Sequence, residues 1–97
     1  MLLEFLIGYA LIGIIGAILE VCIEIASYNN AKAEIKHKAQ ASIGNQKDIF
    51  EMFVASQEKY VDGETLVLKA FDRNKNHIAN VKVKAPQGTP LRVGERF

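Results

Sequence analysis

This 97-residue chain is short of metal and redox chemistry: it holds one cysteine, Cys22, and two histidines, His37 and His77, which lie 40 residues apart. One thiol closes no internal disulfide, so a disulfide-stapled mini-protein is excluded. A zinc site needs three or four ligands, and no such set stands together here. The seven glycines are scattered, so no Gly-rich loop is present to cradle a phosphate. Charge of one sign is lacking as well. The 12 Lys+Arg nearly balance 11 Asp+Glu, giving +1, which excludes a strongly basic nucleic-acid binder. Asp72-x-Asn74-x-Asn76 has the alternating oxygens that open a calcium loop. That loop needs Gly next and Glu at its twelfth position; His77 and Val83 stand there instead, so a polar hairpin turn is the better reading. No catalytic residue, cofactor or metal is expected, and the chain is read as a non-enzyme.

At 49% hydrophobic, the chain is no disordered tail. That average joins two unlike segments. Residues 1–28 hold 21 hydrophobic residues, three Glu and no Lys or Arg, whereas residues 29–97 carry all 12 bases. An uncharged run, FLIGYALIGIIGAIL, fills residues 5–19 between Glu4 and Glu20. Counted over residues 2–23 it would make roughly 33 Å of helix, which matches a bilayer core. Charges near the ends of such a span reach the interface at modest cost. The sequence therefore predicts a transmembrane-type helix over residues 1–28, with a helix buried inside a soluble oligomer as the other reading. A cleaved signal peptide is not expected, because the flank before the run has no base and EVCIEIASYNN offers no small-x-small site.

At 100° per residue, Tyr9, Gly13, Gly16, Ala17, Glu20 and Glu24 fall on one side of that helix. Small residues let a neighbouring helix approach closely, so this stripe is the predicted site of association with a second copy or with another membrane protein. Lys32, Lys36 and Lys38 follow the apolar segment as membrane-flanking bases. The positive-inside rule then predicts a single-pass protein in the lipid bilayer, N-terminus outside and C-terminus cytoplasmic.

Residues 2–7, LLEFLI, followed by ALIGIIGAI over residues 10–18, resemble the N-terminal helix of type IV pilins and pseudopilins. The resemblance implies that Glu4 pairs with a neighbour's N-terminal amine during filament assembly. It also implies a long helix followed by an antiparallel sheet.

After the polar pair Asn29-Asn30, residues 31–43 are rich in helix formers with only Ile35 and Ile43 as large apolar side chains. They are read as the core of a basic, largely solvated helical stem spanning residues 29–46. KDIFEMFVASQEKY, residues 47–60, places Ile49, Phe50, Phe53, Val54, Gln57 and Tyr60 at helical spacing, which predicts an amphipathic helix. Residues 64–71, 77–85 and 91–97 read as three short antiparallel strands. Lys82 and Lys84 share the outer face of one strand, a pattern of solvated faces and protected edges, so nucleic-acid binding is not expected. The sequence thus predicts an α+β fold: an N-terminal transmembrane-type helix, amphipathic helices, then a small three-stranded antiparallel sheet, with residues 47–97 as an α+β module. The expected function is structural or partner-binding on the cytoplasmic side, the rival being a pilin-like filament or virion-type subunit.

Overall fold

Alternation with period two, carried through four segments, builds the protein around a sheet. The structure is a computed structural model describing residues 18–97; residues 1–17 lie outside the described part. Strand β1 is Leu19–Glu24, helix α1 is Ala31–Ile43, and strands β2, β3 and β4 are Glu51–Tyr60, Gly63–Phe71 and His77–Ala85. In LEVCIE, Leu19 and Val21 are buried and Ile23 half-buried, while Glu20, Cys22 and Glu24 are exposed. Apolar and polar residues therefore take opposite faces of a strand.

The sheet order is β1-β4-β3-β2, with β1 parallel to β4 and the other pairs antiparallel. Its register stacks apolar rows on one face: Leu19, Ala79, Ala70 and Met52 in one, Val21, Val81, Leu68 and Val54 in the next. Helix α1 lies over this face and buries Ala31, Ile35, Ala39 and Ile43, a stripe repeating every four residues. Burying Ile35 completely is worth roughly 1.5–3 kcal/mol. The helix stops at Gly44, whose φ of 63° suits glycine and whose N–H donates to the Gln40 carbonyl at 2.9 Å. β1, α1 and β2–β4 share a single core.

The last residues close one edge of the sheet. Met52 and Phe97 exchange two backbone hydrogen bonds at 2.8 and 3.0 Å, and the Val54 N–H donates to the Glu95 carbonyl at 2.9 Å.

Four expectations are corrected here. The helix predicted over residues 1–28 does not extend through its last third, because residues 19–24 form β1. Among the described residues no helix is long and apolar enough to cross a membrane. The single-pass, N-outside topology rested on a span that included residues 19–23, so it fails with them. The amphipathic helix over residues 47–60 is strand β2. A β-bulge between Val54 and Ser56 inserts Ala55, breaks the period-two pattern and spaces the apolar residues as a helix would. The sheet has four strands in a mixed arrangement instead of three antiparallel ones, and residues 91–97 contribute one bridge, Phe53 to Arg96.

Candidate functional site

The inward parity of β3 carries one residue that does not belong with Leu66, Leu68 and Ala70. Glu64 is 2% exposed, and its carboxylate accepts three hydrogen bonds. Tyr28 Oη donates to Oε2 at 2.7 Å, the Thr89 N–H donates to Oε2 at 2.7 Å, and Gln57 Nε2 donates to Oε1 at 2.6 Å. Burial alone would push this carboxyl up. The donors from Tyr28, Gln57 and Thr89, with the charge of Lys59, outweigh burial and hold it below its ordinary value of 4.5. Tyr28 is pushed up to about 12, by burial first and then by its bond to Glu64. Its hydroxyl also lies 2.6 Å from the Pro86 carbonyl, so one proton is shared between two acceptors. The cluster ties the loop before α1, β2, β3 and the segment after β4 together. Glu64 also lines a concavity on the open face of the sheet. Among the described residues no buried side-chain polar atom lacks a partner.

Among the described residues, the opposite face of the sheet has no helix over it. Across it run Glu20, Asn80, Lys69 and Phe53, then Cys22, Lys82, Val67 and Ser56, then Glu24, Lys84, Thr65 and Glu58. A shallow concavity of about 770 Å³ lies over the third row, lined in part by Glu24, Glu58, Thr65, Lys82 and Lys84. Its lining holds four acids, Glu24, Glu58, Asp62 and Glu64, against two lysines, Lys82 and Lys84, so it is acidic on balance. At the other end, Asn80 Nδ2 donates to Glu20 Oε2 at 2.8 Å, joining β4 to β1. His77 Nε2 lies 2.8 Å from Asn80 Oδ1 and 3.1 Å from the Ala79 carbonyl. Both neighbours are acceptors, so this nitrogen carries a proton.

The two edges of the sheet differ. β2 is covered by residues 94–97, whereas among the described residues no strand pairs with the outer side of β1. The Ile25 N–H donates to the Lys84 carbonyl at 2.9 Å, which fixes the parity. Leu19, Val21 and Ile23 direct their backbone groups at β4, and Glu20, Cys22 and Glu24 direct theirs outward. Lys38 Nζ takes the Glu24 carbonyl at 2.7 Å. The N–H and C=O of Glu20 and Cys22, with the Glu24 N–H, make up the rest of this edge.

The predicted site residues are dispersed. Of the association stripe, Tyr9, Gly13, Gly16 and Ala17 lie outside the described residues, as does nearly all of the segment that resembles pilins. Glu20 and Glu24 sit on β1 and face the open side. Lys32, Lys36 and Lys38, read as membrane-flanking, belong to a helix packed on the sheet: Lys32 pairs with Glu95 at 2.5 Å and Lys38 with Glu34 at 3.0 Å, while Lys36 is half-buried. The Asp72 loop is the expected hairpin turn. Asp72 Oδ1 accepts the N–H groups of Asn74 and Asn76, each at 2.9 Å, which holds its carboxyl below the usual value. Among the described residues no three His, Cys, Asp or Glu side chains are placed to hold a metal. Sequence reasoning passed over Glu64, yet a signal was present: an acid on the apolar parity of an alternating strand. The open β1 edge carried no such signal. Comparison with known proteins finds no matching family model, no matching curated protein and no matching solved structure.

Proposed function

We propose that this protein acts by binding a partner, and that the outer edge of β1 is where the partner docks. The observation behind this reading is the asymmetry of the sheet. An unpaired edge is a template for another strand, and proteins blunt such edges with lysines, bulges or covering segments. Here β2 has both a bulge and a covering segment, whereas among the described residues β1 has one lysine, Lys38, at one end. Strand addition draws its affinity from main-chain hydrogen bonds and its selectivity from alternate side chains.

The test is titration of the isotope-labelled full chain with short alternating peptides of basic, acidic and neutral type, followed by amide chemical shifts. At least one peptide shifts Glu20, Cys22 and Glu24 before any residue of β2. The variant Cys22→Pro loses this response, because it removes an outward N–H while leaving the β1–β4 ladder in place. Circular dichroism checks that the variant is folded, and mapping on the unaltered chain gives an independent reading. If no peptide moves the β1 amides, or if Cys22→Pro responds like the parent, the reading is wrong.

A further inference from the structure

We propose that the segment docking beside β1 is an extended stretch of another polypeptide carrying two basic side chains four residues apart, with apolar residues between them. This rests on the edge-docking reading above and names the chemistry of the occupant. Glu20 and Glu24 lie on the same face of β1, about 13 Å apart along the strand. A strand added on the outer side would set its own side chains directly opposite theirs, where opposite charges attract and like charges destabilise. The same rule is already realised on the inner side at one pair, where β4 brings Lys84 beside Glu24. On the helix side, Ile23 is only half-buried, so an apolar residue of the added strand has surface to cover. With the Glu24 carbonyl held by Lys38, the edge accommodates about five residues, enough for one such pair of bases.

Two other occupants fit less well. A second copy pairing through its own β1 about Cys22 would place Glu20 against the partner's Glu24, two like charges at each end of the contact. The chain's own residues 1–17 hold Glu4 and no Lys or Arg, so they lack the complementary charge.

Three peptides distinguish these cases, with the cores Lys-Val-Thr-Val-Lys, Gln-Val-Thr-Val-Gln and Glu-Val-Thr-Val-Glu. The basic peptide binds the full chain about tenfold more tightly than the acidic one at low salt, and added salt narrows the gap. Glu20→Gln with Glu24→Gln abolishes the preference, and Glu20→Lys with Glu24→Lys inverts it. Equal affinity for all three peptides, or preference for the acidic one, overturns the basic-segment proposal while leaving edge docking standing. Absence of binding by any peptide overturns both. Concentration-dependent dimerisation that protects the β1 amides identifies a second copy as the occupant and also overturns the proposal.

Discussion

Replacing Glu64 separates what its shape contributes from what its charge contributes. In Glu64→Ala, Tyr28, Gln57 and the Thr89 N–H lose their shared acceptor. Tyr28 keeps the Pro86 carbonyl, and the other two donors, being half-buried, can rehydrate in part. A hydrogen bond to a charged group contributes about 1.5–3 kcal/mol, so the partly compensated loss comes to about 3 kcal/mol. Glu64→Gln retains one carbonyl oxygen for Tyr28 and Thr89. Its amide can donate to Gln57 once that side chain turns its own oxygen inward, so the cost is only about 1 kcal/mol.

The parent also differs from both variants in pH dependence. The folded carboxyl is held below 4.5, so its contribution is fully present above that value and is lost as pH falls through the folded value. Urea denaturation at a series of pH values from neutral to acid is the assay. The difference between the parent and Glu64→Gln shrinks toward zero as pH falls, because the protonated parent loses the advantage of its charge. A difference that stays constant with pH, or a Glu64→Ala variant no less stable than Glu64→Gln, would refute the reasoning.

Three further outcomes follow from the same structure. Gly63→Ala destabilises by about 1–3 kcal/mol in urea, because a Cβ there would meet the Ala85 carbonyl oxygen at 2.8 Å and that oxygen belongs to the backbone of β4. Ile35→Ala costs about 2–5 kcal/mol, since Ile35 is fully buried in the stripe that holds α1 to the sheet. In an ultraviolet pH titration one tyrosine ionises near 12 and shifts downward in Glu64→Gln, assigning it to Tyr28. Because that pKa is raised from 10.0, its contribution to stability is present below 10.0 and is lost as pH rises toward 12.

The strands that keep strict alternation were legible in the sequence. The pattern over residues 64–71 and 77–85 marks β3 and β4 to within a residue. Helix α1 was legible from its helix formers, but its buried role was not. Two alanines alternating with two isoleucines make too narrow an apolar stripe to stand out in a chain with Lys32, Lys36 and Lys38 on the same turns. β1 was hidden by its setting at the end of a long apolar run, whose average hydropathy masks LEVCIE. The spacing of Glu20 and Glu24 adds to the ambiguity, because four residues is close to one helical turn and also an even number of strand positions. β2 was disguised by Ala55 in its bulge. The parallel pairing of β1 with β4 joins residues 60 apart, and nothing local encodes it.

Hydrogen exchange at the amides of residues 19–25, measured by nuclear magnetic resonance on the full chain, tests the central claim most directly. If β1 is an edge strand with its outer side open, Val21, Ile23 and Ile25 are protected and Glu20 and Cys22 exchange rapidly. Uniform protection across residues 19–25, together with strong contacts between successive amide protons, would signal a continuous helix. That result would contradict the strand, the edge and the docking proposal at once.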